Sequence, residues 1–333
     1  MSYSPKLLIA VILDGVILGG TLILSGTVAG SALRAQEASP SHPQLAAAFA
    51  LENAGRPEAA IAAAQSLIDS PSLTPFDRAQ ALDLEGISYE DLDEPEKAMH
   101  ALEEAAHLLR PQDNKQLAAV FNNMANVYRA WGHFTIAEYL YERAFQQAKA
   151  VAEHGDMARA ANNQASLALA EKRNRVARNY LQRSDREARQ ATDLDDDDRA
   201  GMASMHGWLA WNKGHTTEAL QQYRQALELW RRKHGGQHES TAWGMLLAGQ
   251  AEARAGDRDA GLRTMREGFA LTAAIEGEKS HRYAVAELAY ARLLGRAGNR
   301  IQAAVMQQDA QTRLAVFENR SCRDCTISAM ALH

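Results

Sequence analysis

The chain has 333 residues, 46% of them hydrophobic, and sets 36 Lys and Arg against 41 Asp and Glu for a formal charge of -5. Such a balance excludes an intrinsically disordered chain, and the absence of clustered positive charge excludes nucleic acid as a partner, because phosphate backbones demand it. All eight prolines lie at or before Pro111, so no residue in the last two thirds forbids a helix interior, and an all-α fold is expected.

Residues 1–35 stand apart from the rest. After Lys6 comes LLIAVILDGVILGGTLILSGTVAGSALRA, apolar for long enough to span a bilayer and interrupted by Asp14. Two readings stay open: a signal peptide cleaved near Ala29, Ser31, Ala32 or Ala35, or an uncleaved anchor over residues 7–33. Asp14 is expensive inside lipid and counts against a permanent span. Both readings export the bulk of the chain, to the periplasm or the extracellular space, with the membrane touched only through this apolar helix. QEASPSHP, residues 36–43, reads as a linker.

From residue 44 to residue 315 the chain repeats itself. Gly214, Gly256 and Gly298 are each 42 residues apart, Lys172 lies 42 before Gly214 and 40 after Gly132, and Gly55 and Asp93 extend the series at spacings of 38 and 39. Seven residues before each of these seven positions sits Ala48, Gly86, Ala125, Ala165, Gly207, Gly249 or Ala291; five after sits Ala60, Ala98, Ala137, Ala177, Ala219, Gly261 or Ala303. Small side chains allow two helices to approach closely, and a residue in the left-handed conformation ends the first of them. Each unit is therefore expected to be an antiparallel helical hairpin. One hairpin cannot bury its own apolar face, so about seven of them must stack as a solenoid.

Three units state the pattern most fully: ALDLEGISYEDLDEPEKAMHALEEAA, FNNMANVYRAWGHFTIAEYLYERAF and MASMHGWLAWNKGHTTEALQQYRQAL. A small residue, an aromatic three on (Tyr89, Tyr128), the turn, then in the second of them Phe134, Ala137, Tyr141 and Ala144, resembles the tetratricopeptide repeat. HEAT and armadillo units have similar periods but lack this order. The extra residues lie between hairpins, in ATDLDDDD, KHGGQHES and IEGEKSH, and the long units are similar to the repeats of kinesin light chains. The resemblance implies a right-handed superhelix whose first helices line a concave groove, and a protein or extended peptide as partner.

Catalytic chemistry finds little support in the sequence. No nucleophile with a base and no phosphate loop is evident, and no cofactor or metal is expected. His234 and His238 have a ligand-like spacing, but Gly235 and Gly236 between them point to a flexible, solvated loop. Asp193, Asp195 and Asp197 begin like a calcium loop, yet Asp198 stands where Gly is needed and Ser204 where Glu should close it. Helix capping is the better reading of this run. Cys322 and Cys325, in the tail 316–333, fit a short local disulfide, free thiols or intermolecular pairing.

Under the tetratricopeptide resemblance, groove positions flank the small residue of each first helix. They are Asn122, Asn123, Asn126 and Arg129 in the third unit and Arg159, Asn162 and Asn163 in the fourth; Trp208, Trp211, Trp243, Arg254 and Arg292 follow in the last three. Asparagine both donates and accepts, so a ladder of asparagines can pair with the backbone of an extended peptide whatever its sequence. The same asparagines can instead tie one hairpin to the next, and the tryptophans can pack between hairpins. The expected function is a non-catalytic exported scaffold that binds a peptide or protein segment in the groove. The alternative is a structural protein tethered at the envelope that self-associates as a homo-oligomer, which predicts apolar terminal faces.

Overall fold

In the computed structural model the described residues are 43–318, apart from 72 and 111. They hold fourteen α-helices. These are α1 (Pro43–Asn53), α2 (Pro57–Ile68), α3 (Pro75–Asp91), α4 (Pro95–Leu108), α5 (Asn114–Ala130), α6 (Phe134–Ala150) and α7 (His154–Ala170). They are followed by α8 (Asn174–Ala188), α9 (Asp196–Asn212), α10 (Thr216–His234), α11 (Glu239–Arg254), α12 (Arg258–Glu276), α13 (His281–Arg296) and α14 (Arg300–Glu318). Consecutive odd and even helices form the seven expected hairpins. The apolar segment 1–35, the linker up to residue 42, the Cys322–Cys325 pair and the tail beyond residue 318 lie outside the described residues. Among the described residues no helix is long and apolar enough to cross a membrane.

The seven turns fall where the spacing puts them, and all are left-handed. Gly55, Gly132, Gly214, Gly256 and Gly298 have positive φ, and so do Asp93 and Lys172, the two members of the series that are not glycine. Left-handed backbone costs a non-glycine residue about 1 kcal/mol or more. Packing of the two helices must hold these two turns in place.

Close packing rests on the small residues. Ala48, Ala125, Ala165, Ala60, Ala98, Ala137, Ala177 and Ala219 are completely buried. A Cβ on Gly207 would lie 2.6 Å from the Tyr223 ring, and one on Gly261 would lie 2.4 Å from the Gly249 carbonyl oxygen and 2.6 Å from the Ala253 nitrogen. At such distances backbone meets backbone, and only a residue without a side chain fits.

The described chain divides into two compact units, one of residues 43–167 and 180–194 and the other of Ala168–Asn179 and 195–318. Within the first, α1/α2, α3/α4 and α5/α6 each pack as a pair, and α2 and α4 pack on the first helix of the following hairpin. Its core gathers Leu102, Phe121, Met124, Tyr128, Leu140, Tyr141 and Phe145. Within the second, α9/α10, α11/α12 and α13/α14 pair in the same way, and Trp230, Leu246 and Met265 are buried. First helices also touch one another, α1 with α3, α3 with α5, and α11 with α13, so in each unit they form one layer.

The seam between hairpins has its own register in the second unit. Leu227 lies 3.0 Å from where a Cβ on Gly244 of the next hairpin would stand, and Phe269, 42 residues later, packs on Tyr283 and Tyr290 with ring centroids 5.1 and 5.6 Å away. The next member of that series is Gln311, which is exposed.

Gly261→Ala is expected to destabilise the chain by about 1–3 kcal/mol, as overpacking does. Gly236→Ala, where nothing lies within 4 Å of the added carbon, serves as the control and should change little. Chemical denaturation of the two variants beside the wild type checks this.

Candidate functional site

Two sets of residues occupy the first-helix layers, one in each unit. In the first unit the layer is polar but buried. Asn122, Asn123, Asn126 and Asn163 are each 1% exposed, and Asn162 is 4% exposed.

Their amides are engaged mainly with neighbouring hairpins. Asn123 on α5 donates through Nδ2 to Asp83 Oδ1 on α3 at 2.8 Å, and Asn163 on α7 donates through Nδ2 to Asn122 Oδ1 on α5, also at 2.8 Å. Gln116 Nε2 donates to the other Asp83 oxygen at 3.1 Å, and Ser88 of α3 donates to Glu52 of α1. Rungs Glu52–Ser88, Asp83–Asn123 and Asn122–Asn163 span 36, 40 and 41 residues, about one repeat each. They tie each hairpin to the next.

Asn126 and Arg129 turn toward the partner helix of their own hairpin. The Tyr141 hydroxyl donates to Asn126 Oδ1 at 2.6 Å and accepts from Arg129 Nε at 3.1 Å. Burial pushes this phenol up to about 12, against the nearby Arg129 charge. Arg159 pairs with Asp156 at 2.5 Å and with the side chain and carbonyl of Asp193 at 3.3 and 3.2 Å. A Cβ on Gly155 would collide with Asp193, so this carboxylate lies tight against the start of α7.

The second unit presents a different surface. Trp208 on α9 and Trp243 on α11 are buried, whereas Trp211 is half-buried and Arg254 is exposed. The Arg254 guanidinium carbon stands 4.2 Å from the centroid of the Trp211 ring, a cation–π contact between α9 and α11. No carboxylate of the described residues pairs with Arg254. Arg292 on α13 is half-buried, and burial together with the like charge of Arg296 depresses its guanidinium.

The acidic run does cap a helix. Asp195 Oδ1 accepts from the backbone of Asp197 and Asp198 at 2.8 and 3.1 Å, and Asp198 reaches back to the Asp195 nitrogen at 3.2 Å. The expectation of a flexible histidine loop is corrected: His234 is the last residue of α10, held at Asp197, and His238 is the N-cap of α11. Sequence reasoning missed the pairing of this basic helix end with the acidic run, 36 to 38 residues away. The opposite charges of DLDDDD and RRKH, one repeat apart, were the available signal. Among the described residues no group of three or more His, Cys, Asp or Glu is placed to hold a metal ion.

A chain of stacked helical hairpins with small-residue crossings and left-handed turns is an α-hairpin repeat protein. Residues 199–271 match the tetratricopeptide repeat family, and the same placing of small residues about the turn runs through the other hairpins; the chain is a tetratricopeptide repeat protein. No curated protein sequence matches it. Among solved structures it is similar to a Rap protein complexed with Competence and Sporulation Factor, at 14% identity and a TM-score of 0.62 over 83% of this chain and 77% of that one. The Cut9–Hcn1 hetero-tetramer of the APC/C gives 15% identity and a TM-score of 0.59 over 97% of this chain and 60% of that one, so the chain spans less than two thirds of that relative. The nearly identical TPR-like repeats of a kinesin light chain give 14% identity over 74% of this chain and 99% of that one, at a TM-score of 0.33. For the first two, at these identities, the likeness is one of fold.

Burial raises the Asp83 carboxyl to about 7, outweighing the bonds donated by Asn123 and Gln116, which lower it. An acid whose folded value exceeds its ordinary 3.8 holds its proton more tightly when folded, so its contribution is present below 3.8 and lost as pH rises to about 7. Asp156, also raised to about 7 by burial, acts in the same direction. The melting temperature is expected to fall between these limits less steeply in Asp83→Asn than in the wild type, as thermal unfolding across that window will read.

Proposed function

We propose that the protein is a non-catalytic, exported scaffold that holds a peptide or protein segment against the first helices of its hairpins, in the concave groove of a right-handed superhelix. The observation that carries this reading is the Trp211–Arg254 contact: a half-buried indole under an exposed guanidinium that lacks a carboxylate partner among the described residues. Tryptophan and arginine dominate the energetics of protein interfaces because they offer large area with few rotamers to freeze and, in arginine, a fork of donors. Support also comes from the fold relatives seen in complexes, the Rap protein with Competence and Sporulation Factor and Cut9 with Hcn1. The exported part rests on the apolar run over residues 7–33. The asparagines belong to this reading only if a ligand displaces the rungs they now form.

Binding peptides selected from a random display library against the full chain provide the test. Trp211→Ala with Arg254→Ala is expected to weaken them by about tenfold or more, about 1.4 kcal/mol, at unchanged melting temperature. Asn123→Ala with Asn163→Ala should instead lower the melting temperature, since buried partners lose their bonds at about 1–3 kcal/mol each. Equal binding by the Trp–Arg variant would sink the assignment of this face. N-terminal sequencing of the chain from its native host tests export, and a chain still starting at Met1 removes cleavage.

Self-association is favoured by one observation of its own. On α14, Ile301, Val305 and Val316 are 86%, 56% and 50% exposed and share a face at helical spacing. The expected outcome is a concentration-dependent shift in sedimentation that Ile301→Lys with Val305→Lys abolishes; a monomer at every concentration rules it out.

A further inference from the structure

The open end of the fifth hairpin, where the chain passes on to the sixth, is stitched by charge. Three consecutive residues that close α10 meet three at the opening of α9. Arg232 donates through Nε and Nη2 to the two oxygens of Asp196, both at 2.6 Å; Lys233 Nζ lies 2.6 Å from Asp195 Oδ2, and His234 Nε2 lies 2.6 Å from Asp197 Oδ1. The arginine pair faces water, where such bonds contribute little. The histidine pair is buried, with its side chains 8% and 7% exposed.

His234 lies flat on His238, ring centroids 3.9 Å apart and planes 6° from parallel. His238 is the N-cap of α11, and its Nδ1 accepts a bond from the Ser240 backbone nitrogen at 3.2 Å. The two rings thus have opposite requirements. His234 Nε2 faces a carboxylate and carries a proton there, while His238 Nδ1 accepts a backbone proton and carries none. Adding a proton to His238 Nδ1 removes the cap on α11. It also sets a cationic ring face to face with the His234 imidazole, in van der Waals contact.

Charged residues open or close each helix that meets at this corner. Asp195, Asp196, Asp197 and Asp198 come from the start of α9, Arg231, Arg232 and Lys233 from the end of α10, and Glu239 from its own helix. Glu239 is held by Arg282 at the start of α13, which also pairs with Glu276 at the end of α12 at 2.8 Å.

We propose that this joint is a proton-operated hinge: closed, it accommodates only neutral His238, and proton uptake at Nδ1 releases the first turn of α11 from α10.

Hydrogen exchange of the full chain, read by mass spectrometry at about pH 7.5 and about pH 5.5 and corrected for the intrinsic rate, tests the hinge on either side of the ordinary histidine range. Exchange of residues 235–243 is expected to rise roughly tenfold in acid relative to the turn at Gly256. His238→Asn, and His238→Asp as a second capping variant, keep an acceptor for Ser240 while removing the imidazole, and should show no such rise. A wild-type segment that does not respond, or a folded variant that responds like the wild type, overturns the proposal. The wild-type comparison decides even if neither variant folds.

Discussion

Two helices of a hairpin can share a core only by coming within reach of each other's backbone, and here they do so at one small residue on either side of the turn. Gly249 and Gly261 show the limit, where no added carbon fits. From that approach follows the burial of α3 and α5 on nearly every side, because each is gripped by its partner and by its neighbours. Polar side chains on such helices cannot reach water, and an unpaired buried group costs about 1–3 kcal/mol. They must therefore find each other, as Asp83 finds Asn123 and Asn122 finds Asn163. The polar ladder is in this sense a consequence of the apolar packing.

Spacing made the hairpins legible. Asp93 and Lys172 carry no glycine signature, yet their place in the series marks them as turns, and both have the positive φ that such a turn requires. Asp195 and Asp198 were legible as helix caps because capping is a local interaction, complete within four residues. The orientation of Asn123 and Asn163 was not legible. Periodicity separates a buried face from an exposed one, and on a helix buried all round it distinguishes nothing. The role of His234 was hidden for a different reason: its partner Asp197 lies a repeat away, and the adjacent glycines argue locally for a loop.

The two units use their first-helix layers differently. One consumes its polar groups in cross-links between hairpins, which favours a stiff layer. The other leaves a guanidinium on an indole, where each keeps hydrogen-bonding or stacking capacity for something further. Such a division lets one part of the chain resist deformation while another meets a partner, and the charged joint of Asp195–Asp197 with Arg232–His234 closes the far end of the same helices.

Asn212, Arg254 and Arg296 each stand two residues before a turn, at the same place in three successive hairpins. Neither the crossing of the helices nor the turn depends on which side chain is there. A duplicated unit can therefore acquire a new residue at this place without paying for it in folding. The surface is written one letter per repeat, and an array of this kind can be recoded for another partner letter by letter while its architecture stays as it is.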